Sequence, residues 1–464
     1  MDSAQNTALT ELPEDIILHI LARCEIVAVL SAAQTCRYVH FLAFSKTVWL
    51  ALVEELRARS MLDATSTANI RDLTTNELIG LVRRLESGPS SWSSSQSGSP
   101  FSPEIKKEFV LHPEIRNADQ YYNFPKLLPS GQHVLFKHSR NLECWNVAED
   151  RLVWKHTPVV EGLGHLIQFA AEETDGGDTV VMLICEQISG TLPVTSYISI
   201  VELDVRTGDH KVVSVTRCSP YSFRSYMEPS LLGSLCAVPL ESERDGDTYL
   251  IFDWKLNAFF LLDFDPSPSS QVYLCPGHMV LKADSLLGTT EIHVVSTSVL
   301  PQFWTLISSS THGLSGPTPI PLTALPTLST LCPLDVWKSL HWISIHPSPL
   351  RHNTYRVWCY GNTANRVFEN VVWRYDLTLL PNKDPAWRPR ILSCILPRAY
   401  DSRFTYSGHS LVFGRSTGQI VAPTWPSASG LTDMQGSGAF PHLASYSGTI
   451  TYATKRAIVI RYFK

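Results

Sequence analysis

The chain has 464 residues, 44% of them hydrophobic and 17% charged, with a formal net charge of −5. It is too long for one ordinary domain and has ample apolar material for a large core. The first 90 residues hold 8 basic and 11 acidic side chains, leaving 30 and 32 for the rest, so neither part has the basic excess of a nucleic-acid-binding surface. Ten Cys are scattered without C-x-x-C or paired Cys/His spacing, which argues against a zinc site. The opening MDSAQNTALTELPED is polar and acidic, no N-x-S/T sequon occurs and no apolar run nears about 20 residues. These features point to a reducing compartment, cytosol or nucleus, where Cys144 and Cys185 act as small hydrophobes inside apolar strands.

In chain order, Pro13, Ile16, Ile17, Ile20, Leu21 and Cys24 fall at i, i+3, i+4, i+7, i+8 and i+11, one face of a helix. Pro13 suits a first turn, and Glu14 and Asp15 complement the helix dipole. A second helix is expected over 27–43, with Val29, Ala32, Ala33, Cys36 and Val39 on one face and Leu30, Phe41 and Phe44 off it. A third carries Trp49, Leu52, Val53 and Leu56. Three helices in about 45 residues make a core too small to stand comfortably alone, which favours a permanent partner.

This stretch resembles an F-box. The resemblance rests on Leu12-Pro13, Asp15, the pairs Ile16-Ile17 and Ile20-Leu21, Cys36-Arg37 and Trp49. Cys24 stands where the family usually has Leu, and Val39 where many members have Trp. The resemblance implies docking to the Skp adaptor of a cullin–RING ubiquitin ligase, with Leu12, Pro13, Ile16, Ile20, Leu21, Leu30 and Trp49 as candidate contacts. Each of these is equally compatible with ordinary core burial.

The expected division is an F-box helical domain at 8–60, a bridging helix within 61–86, a Ser-rich linker at 87–103 and a β-propeller-like domain at 104–464. Thr74 and Glu77 have capping-box spacing, and Leu78, Leu81, Val82 and Leu85 form the helical face that follows. This helix either bridges to the body or completes the small core. SGPSSWSSSQSGSPFSP reads as a solvated tether.

From Phe109 the pattern changes to short alternating strands. Cys144-Trp145-Asn146, Leu203-Asp204, Phe252-Asp253-Trp254 and Arg374-Tyr375-Asp376 sit at similar phase in repeated strand–turn–strand units. Such repeats suggest six or seven propeller blades; two stacked β-sandwiches are the alternative. The C-terminal YSGTITYATKRAIVIRYFK reads as two strands, with Glu108–Leu111 able to complete their sheet. It resembles the end of fungal F-box proteins.

No G-x-S-x-G, P-loop or H-E-x-x-H motif occurs. His341 and His346 are five apart and fall on opposite faces of a strand. The loops at 347–353 and 381–390 read as exposed positions where function could sit. The fold class is therefore α+β multidomain: a three-helix F-box followed by an all-β propeller. The function expected is substrate recognition for an SCF-type (Skp–cullin–F-box) ubiquitin ligase, with no cofactor, no metal and no catalytic residue in this chain. The alternatives are a propeller hydrolase and an F-box protein acting in assembly.

Overall fold

A computed structural model describes residues 12–464 apart from internal stretches, the longest at 93–102, 115–123 and 432–440. The N-terminal part holds five α-helices among the described residues: α1 (Glu14–Leu21), α2 (Ile26–Ala32), α3 (Arg37–Ala43), α4 (Lys46–Ala58) and α5 (Thr75–Ser87). The single helix expected over 27–43 is two. Thr35 turns its hydroxyl back onto the Ala32 carbonyl at 2.7 Å, and Cys36 is extended (φ −156°). Side chains of this type compete with the helical ladder and end it. The break re-phases the chain, so Val29 on α2 and Val39, Leu42 and Ala43 on α3 are all buried.

The α5 helix begins with a complete capping box. Thr74 Oγ1 accepts from the Glu77 N–H, and Glu77 Oε2 accepts from the Thr74 N–H at 2.7 Å. Leu78, Val82 and Leu85 join the core of α1–α4, so the helix completes the small domain. It is also the bridge. Arg84 donates to the carbonyl of Phe463, and Glu86 reaches Arg356 and Tyr406.

Seven β-sheets follow among the described residues. They span 124–155, 164–217, 222–263, 271–331, 337–396, 402–431 and 442–463, taken here as blades 1 to 7. Within each, the strands pair antiparallel in chain order, and neighbouring blades meet through their first strands. Blade 7 lies against blade 1, so the sheets form a ring with the first strand of each blade innermost. This is a seven-bladed propeller rather than stacked sandwiches. Short strands at Thr305–Leu306 and Ile320–Pro321 also pair with the outer strand of blade 3.

Ile105–Leu111 supplies the fourth strand of blade 7, Val110 opposite Val459 and Leu111 opposite Ile458. The ring is thus closed by strands from both sides of the chain, and Ile458–Phe463 is paired on both of its edges. The repeat visible in the sequence has a physical basis in blades 1 to 3. Asn146, Asp204 and Asp253 each end a third strand, and each side-chain Oδ1 accepts two backbone N–H groups from the turn, at 2.9 to 3.1 Å. Four residues on, Asp150, Gly208 and Asn257 all take positive φ. A short polar side chain starts the turn and a residue tolerant of that conformation closes it. Asp376 departs from the pattern. It lies inside the third strand of blade 5 and pairs with Arg374 and Arg390.

The tether expected at 87–103 is not solvated where it is described. Gly88 to Trp92 are seated on blades 6 and 7, and Trp92 is fully buried among Leu411, Leu443, Ile450, Tyr452, Val459 and Phe463. Its ring meets His409 at 5.3 Å and Phe463 at 5.1 Å between centroids. Ser91 places both its N–H and its hydroxyl on the Lys464 carbonyl, at 2.9 and 3.0 Å. Gly448 (φ +70°) leaves room for this strap, since a Cβ there would stand 2.9 Å from both Pro89 and the Trp92 ring. One aromatic residue in a Ser/Gly/Pro run was enough to dock it. Residues 93–102 lie outside the described residues.

Trp92→Ala should cost about 3–5 kcal/mol, by loss of buried area and the cavity left behind. Chemical denaturation of the full chain checks this, and a change below 1 kcal/mol would count against the strap. The fold also buries imidazoles in the neutral state, among them His133, His346 and His409, which burial holds down to about 4. Their unfolded value is about 6.5, so the unfolded chain binds more protons below neutrality. Stability should therefore be full above about pH 6.5 and fall as pH drops towards 4. The urea midpoint should be lower at pH 5 than at pH 7.5, and His409→Gln should flatten that dependence.

Candidate functional site

The helical domain sorts its apolar side chains into two sets. Ile17, Leu21, Val29, Leu42, Val48, Trp49, Leu52, Val53 and Leu56 are buried in its core. Ile16 and Ile20, one turn apart on the outer side of α1, are 43% and 40% exposed. On α3, Tyr38 is 41% and Phe41 70% exposed. Pro13 is exposed, and Leu12 and Leu30 are half-buried.

Of the seven candidate contacts, Leu21 and Trp49 therefore lie in the core and offer no surface for docking. Their helical spacing is shared by core and contact positions, so periodicity could not separate the two. Ile16, Ile20 and Pro13 remain accessible. Phe41 was legible as an apolar residue off the core face, whereas Tyr38 carried no signal, because the break before α3 sets its direction. Val39 is buried and Cys24 half-buried, so both departures from the family pattern sit on the inward side.

The helices are held on one end of the propeller. Leu350 accepts the Val27 N–H at 3.3 Å, Ser348 accepts Arg59 at 2.7 Å, and Glu25 accepts the His352 N–H at 2.8 Å. His352 Nε2 also lies 3.2 Å from Glu55. The loop at 347–353, expected to be exposed and either a functional position or a solvated connection, is instead the seat of the chain's own helices. In the other candidate loop, Trp387 is tied to Ser329 Oγ at 3.1 Å and packs edge-on against Tyr375.

At the centre of this junction Arg356, 5% exposed, donates to Glu86 at 2.9 Å and to the Tyr406 carbonyl at 2.8 Å. The Tyr406 hydroxyl donates to the other Glu86 oxygen at 2.9 Å. Every heteroatom of the Glu86 carboxylate is used, which is the condition for a buried ion pair to hold geometry. These contacts lie on or just beyond turns between first and second strands, at 347–356 and 404–410, joined by Tyr446 of the matching turn in blade 7, which packs on the helical core, and by the 175–177 turn of blade 2 against α4. The opposite face of the ring carries none of them.

The propeller channel is polar. Lys126, Arg403 and His442 come from the inner strands of blades 1, 6 and 7, and Glu228 from the link just before the short strand Ser230–Leu232 of blade 3. Glu228 Oε1 lies 2.8 Å from Arg403 and Oε2 3.8 Å from Lys126. Burial opposes its charge, but Arg403 and Lys126 outweigh that and hold the carboxyl at about 2. His442 is pushed down to about 3 by burial and by the same two cations. No group of three or more His, Cys, Asp or Glu side chains is placed to hold a metal among the described residues. His346 is buried in blade 5, and the His341 side chain lies outside the described residues.

Against known proteins, the F-box-like family model matches residues 9–54. Residues 9–54 are an F-box-like domain. That domain covers α1 to most of α4, and the propeller follows it in the same chain. No curated protein matches. Solved structures matched by the chain include the β-propeller domain of Myceliophteria thermophila Cps50 (Swd1), at 9% identity and TM-score 0.44, covering 77% of this chain and 99% of that one. The WD40 domain of fission yeast SCAP has 9% identity and TM-score 0.43, covering 79% and 97%. Chaetomium thermophilum Raptor has 10% identity and TM-score 0.45, covering 98% of this chain and 39% of its own. The fold assignment rests on the sheet topology.

In the F-box-like domain, the exposed and buried sets should respond oppositely to substitution. Ile16→Asp and Phe41→Ala should change stability by no more than about 0.5 kcal/mol, as surface positions do. Trp49→Asp should unfold the domain, because it leaves an unpaired charge in an apolar core. Thermal melts of the three variants decide this. A melt of Ile16→Asp as low as that of Trp49→Asp would overturn the sorting.

Proposed function

We propose that the chain is the substrate-recognition adaptor of an SCF-type ubiquitin ligase, its F-box-like domain docking to a Skp adaptor and its propeller binding the target protein. The observation that carries this reading is an accessible apolar set, Ile16, Ile20, Tyr38 and Phe41, on a domain matched by the F-box-like family. A small domain whose outer surface keeps such residues is suited to a permanent partner. Pro13, Leu12 and Leu30 extend the surface.

In this reading the chain makes and breaks no covalent bond. It works by holding target lysines close to activated ubiquitin, which turns a bimolecular encounter into a tethered one. The packed junction through Arg356 and Glu86 supports this role, since a fixed angle between helices and ring narrows the volume the target explores. A cytosolic or nuclear setting suits the free thiols of Cys144, Cys185, Cys218, Cys236, Cys275 and Cys359, all buried. No helix among the described residues is long and apolar enough to cross a membrane.

The test is reconstitution of the full chain with Skp adaptor, cullin, RING subunit and ubiquitin-charged conjugating enzyme. The native chain should bind the adaptor and support ubiquitin transfer to a protein captured by the ring. Ile16→Asp and Ile20→Asp should lose adaptor binding by at least about a hundredfold while keeping their melting temperature. Adaptor binding without transfer to any captured protein would instead favour a role in assembly.

A further inference from the structure

A cavity of about 210 Å³ opens beside the channel between the inner strands of blades 3, 4 and 5, walled by Met227, Glu228, Tyr249, Gln271, Tyr273 and Trp342. Its place along the axis follows from strand direction. Gln271 begins the first strand of blade 4, whose other end at Cys275 enters the turn on the helix-bearing side. Tyr249 stands near the start of the third strand of blade 3, away from that side. The cavity is therefore displaced towards the face that the F-box-like domain leaves open.

The wall limits what can enter. Sites for whole small molecules span about 300–1,000 Å³, so this volume suits one side chain. Three aromatic rings and a thioether favour a flat, polarisable guest, which packs edge-to-face or offset against rings and makes favourable contacts with sulfur. Most wall polar groups are already occupied. The Tyr249 hydroxyl donates to the Ser270 carbonyl at 3.1 Å, Tyr273 to the Ile343 carbonyl, and Gln271 Oε1 accepts from the Ile343 N–H at 3.1 Å. Glu228, its side chain 35% exposed, is different. Oε2 meets Lys126 only at 3.8 Å, beyond hydrogen-bond length, and can accept a further donor. The two cations beside Glu228 already exceed its charge, so a cationic guest would add a third positive charge. An anionic guest would face the carboxylate itself.

We propose that this cavity is the anchor pocket for the target protein, and that it takes a tyrosine or tryptophan side chain whose O–H or N–H donates to Glu228 while its ring lies among Tyr249, Tyr273 and Trp342. The assignment rests on the adaptor reading above for the identity of the guest's parent as a target protein. Aromatic residues with a polar tip dominate protein interfaces when they fill such pockets. The pocket specifies one residue of the target and leaves the rest of the open face to set affinity.

The experiment titrates the full-length chain, by saturation-transfer NMR and calorimetry, with N-acetyl-tyrosinamide, N-acetyl-tryptophanamide, N-acetyl-phenylalaninamide and N-acetyl-lysinamide. The tyrosine or tryptophan amide should bind, the phenylalanine amide about tenfold or more weaker for want of the donor, and the lysine amide not at all. Ser230 also lines the cavity, and Ser230→Phe, which fills it from that wall, should abolish binding without lowering the melting temperature by more than a few degrees. Equal binding of the phenylalanine amide, stronger binding of the lysine amide, no binding of either donor-bearing amide, or binding retained by folded Ser230→Phe would each overturn the proposal. Should Ser230→Phe not fold, the order of the four amides on the native chain decides alone. Adaptor binding by the native chain, measured alongside, separates the two readings. If adaptor binding is absent in the native chain but the tyrosine amide binds, the ligase reading falls and the pocket stands.

Discussion

The carbonyls of Phe463 and Lys464, the last two residues of the sequence, are held by Arg84 and Ser91 from the segment that leaves the helical domain. This is the constraint on which the architecture depends. A propeller ring must be closed at a seam, and here the seam is the pairing of Ile105–Leu111 with Ile458–Phe463. The strap at 88–92 seats on that closing blade, with Trp92 wedged between blades 6 and 7. Helical domain and ring are consequently joined at the blade that closes the ring, as well as at the turns of blades 5 and 6. Much of the stability of each is shared with the other, as the burial of Leu350 and Tyr446 against the helical core also indicates.

A second consequence concerns direction. The helices sit on turns between first and second strands, those of blades 5, 6 and 7 and, through α4, the 175–177 turn of blade 2, so these contacts leave the opposite face of the ring uncovered. The channel has a corresponding polarity: a charge cluster around Glu228 deep in the ring and an aromatic-walled cavity above it. A carboxylate flanked by two cations is stable only because the three are held on different blades, which fixes their separation without any local sequence rule. The same low-dielectric surroundings keep the neighbouring His442 neutral.

Part of this was legible beforehand. The F-box-like helices follow from apolar spacing and from Leu12-Pro13, and the turn chemistry of Asn146, Asp204 and Asp253 repeats visibly because each carries out the same local bonding. The C-terminal strands and their complement at 108–111 were legible for the same reason, as alternating apolar runs. What failed did so at points where local pattern is silent. Helical spacing could not tell Leu21 and Trp49, which are core, from Ile16 and Ile20, which are surface. The Ser-rich composition around Trp92 suggested a tether, because composition averages over the one residue that docks.

The sequence by itself determined the two-part division, the all-β character of the body and the number of blades to within one, since these depend on contacts between residues near each other in the chain. Only the tertiary structure decided which apolar residues remain outside, where the helices sit on the ring, and that Lys126, Glu228, Arg403 and His442 share one channel. These depend on residues tens to hundreds of positions apart, brought together by ring closure. No spacing along the chain encodes that distance.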